Sequence, residues 1–75
     1  MDVKYFGRRL MRVRKNRNLT QRELANEIDV STKTVNRYEH GLAFPSKRKL
    51  YDISKLLSVD VDYLLTGHEI ERRKG

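Results

Sequence analysis

Four side chains between Ser31 and Gly41 carry unlike polar groups: the hydroxyl of Thr32, the ammonium of Lys33, the amide of Asn36 and the guanidinium of Arg37. On an α-helix they share an arc of about 140°. Val35 and Tyr38 of the same segment lie opposite. Such groups hydrogen-bond in defined directions, and two are cations, so they suit a polar, anionic surface. They do not suit bond cleavage, because none is a nucleophile beside a general base. A solvated helix face has the same residue types, so the surrounding elements must decide.

The rest of the chain offers little other chemistry. There is no cysteine, hence no disulfide and no thiolate-ligated metal. His40 and His68 are the two histidines and lack metal-ligand spacing. Asp60 and Asp62 fit a helix start better than a catalytic pair, and no Gly-rich phosphate loop is present. No enzyme activity, metal, cofactor or small-molecule substrate is expected.

The chain has 75 residues and a formal net charge of +7, from 17 Lys and Arg against 10 Asp and Glu. One small domain is the limit at this length, with marginal stability. The charge is uneven. Residues 1–19 carry seven cations against one anion, whereas residues 20–67 carry seven of each. A local excess of this kind suggests a polyanion such as nucleic acid or an anionic membrane, or simply a solvated basic helix. Hydrophobic residues make up 37%, and no run approaches the ~18 that a transmembrane helix needs. The cationic start with no apolar run behind it does not read as a signal peptide. A cytoplasmic location is expected.

Helical periodicity accounts for the chain. Val3, Phe6, Leu10 and Val13 make one stripe, with Lys4, Arg8, Arg12 and Lys15 away from it. Arg14 falls at the stripe's edge and requires a partner. Thr20 and Glu23 spell a capping box before Leu24, Ala25 and Ile28. Ser31 starts a third helix that Gly41 stops. Residues 42–45 are a loop, Ser46 starts a fourth helix, and Asp60 starts a fifth that Gly67 stops. No strand alternation or repeat is visible. The predicted fold is all-α: five short helices, with a core of Phe6, Leu10, Val13, Leu19, Leu24, Ala25, Ile28, Val30, Val35, Tyr38, Leu50, Ile53, Leu57, Leu64 and Leu65. Residues 1–67 form the domain, and residues 68–75 are a charged tail expected to fray.

Residues 21–39, two helices across a tight turn with Ala25 at the crossing, have helix-turn-helix form. From Phe6 to Gly67 the chain resembles the phage-repressor and Cro-like helix-turn-helix family, also called XRE. The resemblance is carried by Arg14, by "LTQRELA" from Leu19, by "STKTVNRYEHG" from Ser31, by Pro45-Ser46 and by "VDYLLTG" from Val61. It implies a compact lambda-repressor-like DNA-binding domain and a transcriptional regulator, a repressor, of double-stranded DNA.

The resemblance also assigns roles by position. The helix from Thr32 becomes the recognition helix in the major groove, with Thr32, Lys33, Asn36 and Arg37 reading bases. Lys33 and Arg37 suit guanine O6 and N7, and Asn36 suits adenine N6 and N7. Gln21, Ser31, Thr34, Lys47 and Arg48 are candidate phosphate contacts, with Arg12 and Lys15 depending on how the first helix is oriented. Arg14 and Glu39 are expected to pair. Two positions depart from the family. Asp29 stands where many members have glycine, and Leu42-Ala43-Phe44 replaces a loop that is often basic.

Relatives usually bind palindromic operators as homodimers. Leu42, Phe44, Val61, Tyr63 and Leu65 are the candidates for a symmetric contact, or they complete the monomer's core. The alternative function is a protein-interaction module such as an antitoxin or co-regulator. The reading face lacks the exposed aromatic anchor such a module would use. Membrane binding by the first helix is disfavoured, since its apolar stripe is needed to close the domain.

Overall fold

A computed structural model describes residues 3–68. Its elements are α1 (Val3–Asn16), α2 (Gln21–Glu27), α3 (Thr32–Glu39), α4 (Lys47–Leu57) and α5 (Val61–Thr66). Among the described residues there is no strand. Of the tail expected at 68–75, all but His68 lies outside the described residues.

Three helices start on a hydroxyl that closes the first turn. Thr20 Oγ1 accepts from the Glu23 N–H at 3.0 Å, and Glu23 Oε1 accepts from the Thr20 N–H at 2.9 Å, completing the capping box. Ser31 Oγ accepts from Thr34 N–H at 3.0 Å, and Ser46 Oγ from Lys49 N–H at 3.2 Å. Asp60 takes the N-cap position of α5 with extended backbone but makes no side-chain cap bond. Backbone geometry is enough to start this helix, and a six-residue helix gains little from its cap.

The ends of α1 to α4 are alike. In each, a residue with left-handed backbone is followed by an amide that reaches back five residues, the Schellman closure. The four bonds are Leu19 to Arg14 (3.2 Å), Val30 to Ala25 (3.0 Å), Leu42 to Arg37 (2.9 Å) and Val59 to Ser54 (3.1 Å). The left-handed residues are Asn18 (φ 60°), Asp29 (φ 61°), Gly41 (φ 74°) and Ser58 (φ 57°). Only Gly41 has the residue type that adopts this conformation without steric cost.

The core is Phe6, Leu10, Val13, Leu24, Ala25, Ile28, Val35, Tyr38, Leu50, Ile53, Leu57 and Leu64. Leu19, Val30 and Leu65, expected inside, are half-buried at its margin. Leu19 and Val30 lie in the connections on either side of α2, and Leu65 in the last turn of α5, where solvent reaches one side. Phe44 of the loop sets its ring edge-on to Phe6, with centroids 4.8 Å apart.

Two contacts fix α1 against α3. At Gly7 the helices approach so closely that an added Cβ would lie 2.6 Å from the carbonyl oxygens of both Tyr38 and Glu39. About two helical turns further on, Arg14 Nε donates to Glu39 Oε2 at 2.6 Å and Arg14 Nη2 to Oε1 at 3.0 Å. Both side chains are buried.

Cations also finish the helices of their neighbours. Arg9 donates to Leu64 O (2.8 Å) and Leu65 O (2.9 Å) in the last turn of α5. Arg17 donates to Leu57 O at 2.8 Å at the end of α4, and Lys49 to Ile28 O at 2.6 Å beyond α2. Helix C-termini present unpaired carbonyls and partial negative charge, so each contact satisfies an acceptor and opposes the dipole.

Two stability changes are expected. Glu39→Gln strands the buried Arg14 guanidinium and costs about 3–5 kcal/mol in urea unfolding followed by circular dichroism. Gly7→Ala forces α1 off α3 and costs about 1–3 kcal/mol in the same assay.

Candidate nucleic-acid interface

Helix α3 is eight residues long, too short to persist by itself. Its inner side holds it: Val35, Tyr38 and Glu39 are buried. Burial raises the Tyr38 phenol above its ordinary value, so the ring enters the core neutral. Thr32, Lys33, Asn36 and Arg37 all lie exposed on the other side. Among the described residues none of the four has an ion-pair partner. Arg37 Nη2 donates to Leu42 O at 3.3 Å, which leaves most of its donors facing solvent.

The start of α2 lies beside this face. Gln21 Nε2 donates to Glu39 Oε1 at 2.9 Å, and Asn36 Nδ2 approaches Gln21 Oε1 at 3.5 Å. The buried Arg14–Glu39 pair therefore orients Gln21, and through it touches the exposed Asn36. Because Gln21 spends one N–H on Glu39, one remains for an outside acceptor.

Ser31 Oγ and Thr34 Oγ1 lie 2.9 Å apart, and Ser31 Oγ also caps α3. Whichever hydroxyl accepts from the other keeps its own proton to offer outward. Lys47 is exposed at the first turn of α4. Arg48 is exposed as well and makes a 3.4 Å surface contact with Asp52. Such a pair is worth little, so it does not hold the guanidinium from another anion.

The five apolar candidates separate. Leu42 is 64% exposed, whereas Val61, Tyr63 and Leu65 pack against the core and Phe44 is held by Phe6. Val61 and Tyr63 also line a hollow shared with Val13, Tyr51 and Lys55.

Several contributors escape a reading of sequence. His40 continues the exposed α3 arc by one turn, about 80° round from Thr32. Its Nδ1 lies 2.8 Å from Asn36 O, and a carbonyl only accepts, so the proton sits on Nδ1. Extending the helical wheel past Glu39 would have found it. Gly7, Arg9, Arg17 and Lys49 act across long sequence separations, and no local pattern marks them.

The helix-turn-helix family pattern matches residues 10–64, and the chain belongs to that family. It is 38% identical over 65 residues to the HTH-type transcriptional activator BcrR of Enterococcus faecalis, covering 87% of this chain and 32% of that protein. It is 34% identical over 67 residues to the uncharacterized HTH-type transcriptional regulator YqaE of Bacillus subtilis, covering 89% of this chain and 58% of that one. The chain thus spans a third to three-fifths of these relatives. In structure it is similar to the P22 c2 repressor solved with a synthetic operator. The TM-score is 0.81 at 30% identity, over 84% of this chain and 96% of that one.

Gln21→Glu tests the link between the ion pair and the exposed face. It sets a second carboxylate against Glu39 and removes a hydrogen bond to a charge. A loss of about 1.5–3 kcal/mol is expected in thermal unfolding.

Proposed function

We propose that the protein is a sequence-specific regulator of transcription, a repressor, that binds double-stranded DNA with α3 in the major groove. The observation that carries this reading is the division of α3. One side is locked by Val35, Tyr38 and the Glu39 ion pair, and the other offers exposed donors in a single arc. Arg37 and Lys33 read guanine, Asn36 reads adenine through its amide, and Thr32 contacts a base or a thymine methyl. Gln21, Ser31, Thr34, Lys47 and Arg48 hold phosphates and set the register. The P22 c2 repressor, solved on its operator, and the biofilm regulator SinR, solved with DNA at TM-score 0.74, lend support.

Two copies on a palindromic operator complete the reading, because one short helix spans few base pairs. Leu42 is the most exposed apolar side chain of the candidate contact set, and the hollow beside Val61 and Tyr63 offers the other surface. The relatives include an activator by name, so the sign of regulation is the finer part of the proposal.

Selection of bound duplexes from a random pool tests the whole reading. The expected product is a two-fold symmetric site with half-sites about one helical turn apart. No enrichment of any sequence would reject it in favour of a protein-binding module. On the selected site, Arg37→Ala relaxes preference at one position of each half-site, at about 1–3 kcal/mol per lost contact. Lys47→Ala weakens selected and random duplexes alike, as measured by fluorescence anisotropy.

A further inference from the structure

The seven cations of residues 1–19 do not share one task. Arg9, Arg14 and Arg17 turn inward onto carbonyls and Glu39. Lys4, Arg8, Arg12 and Lys15 are exposed. They lie within an arc of about 80° and run about 16 Å along α1. This stripe is about 100–120° round the helix from Gly7 and Arg14, which face α3, and about 100° from Arg9, which faces α5. Arg8, Arg12 and Lys15 therefore look away from both neighbours, while Lys4 at the stripe's end packs its stem against Gly41 just beyond α3.

Two features set it apart from an ordinary solvated face. Helix α1 contains no acidic residue, and its first turn has none to complement the dipole. Like charges four apart, as in Arg8 and Arg12, oppose helix formation. Among the described residues Arg8, Arg12 and Lys15 have no ion-pair partner. Lys15, in the last turn, complements the dipole of α1, but Arg8 and Arg12 form no ion pair among the described residues, while three other arginines of the same segment serve the fold directly.

We infer that the outer stripe of α1 is a second binding surface for double-stranded DNA, so that one protein molecule holds two duplex segments. A run of about 16 Å is long enough to meet several phosphates of a duplex, which carries one negative charge per about 1.7 Å of its axis. Tyr5, 54% exposed and next to Arg12 on the wheel, adds a hydroxyl donor for a phosphate. A membrane surface suits the stripe less well, because Phe6 and Leu10, the apolar side of α1, are fully buried and have nothing to insert. The inference needs a first duplex at α3 but not any particular base sequence there.

Energy transfer between two short duplexes, one with a donor dye and one with an acceptor, tests it. The wild-type chain is expected to bring them together at low salt. Arg8→Gln with Arg12→Gln and Lys15→Gln should keep the wild-type preference for selected over random duplex in single-duplex anisotropy but lose the transfer. Arg8→Lys with Arg12→Lys should keep it. Circular dichroism of the triple variant should show a fold at least as stable, since repulsion is relieved. Transfer undiminished in the triple variant overturns the inference, as does single-duplex binding without transfer in the wild type. Wild-type chain that leaves duplexes unbridged but sediments with phosphatidylglycerol vesicles, an effect lost in the triple variant, reassigns the stripe to lipid and also overturns it. If no duplex binds at all, both this inference and the reading of α3 fail, and the single-duplex titration identifies that case.

Discussion

Arg14 and Glu39 come from helices with a long stretch of chain between them, and they meet in the interior with the bidentate geometry that only a guanidinium offers. Removing two charges from water is expensive, and further hydrogen bonds to both partners offset that cost. Arg14 Nη1 donates to Leu19 O at 2.7 Å, and Gln21 Nε2 adds a further bond to the carboxylate. One buried cluster thereby ties α1, the link into α2 and the end of α3. A two-turn helix cannot set its own direction; this cluster and the contact at Gly7 set it. The aim of the outward face depends on a polar interaction that is itself out of solvent's reach.

A basic excess is easily assigned wholly to an external polyanion, and here that would be only half right. Arg9, Arg17 and Lys49 complete the ends of α5, α4 and α2. In a domain this small, with no cysteine for a disulfide, long cationic side chains supply cross-links that core volume alone does not. Their stems also cover apolar margins while their heads reach carbonyls.

The fold was largely legible in the sequence because its signals are local. Helical spacing, the Thr20–Glu23 box and the serines at 31 and 46 mark where helices begin. Gly41 and Gly67 mark two ends. Asp29 was recognisable as a left-handed residue only through the family pattern, and Asn18 and Ser58 take the same conformation without glycine to announce it. Tertiary closure supplies what their side chains do not favour. The exposed arc of α3 was likewise visible from periodicity. The close approach at Gly7, the hydrogen bond from Gln21 to Glu39 and the arginine caps were not, since each depends on which elements become neighbours. Leu19, Val30 and Leu65 were misplaced by degree, because hydrophobicity does not tell a core position from its rim.

The two sides of α3 answer to different constraints. Val35, Tyr38 and Glu39 are bound to the rest of the fold, while Thr32, Lys33 and Arg37 touch almost nothing within it. Substitutions on that outer row therefore carry little folding penalty. Over evolutionary time the surface is free to drift, letter by letter, while the scaffold that presents it stays fixed. Paralogues with a different outer row can arise from this chain by point changes alone.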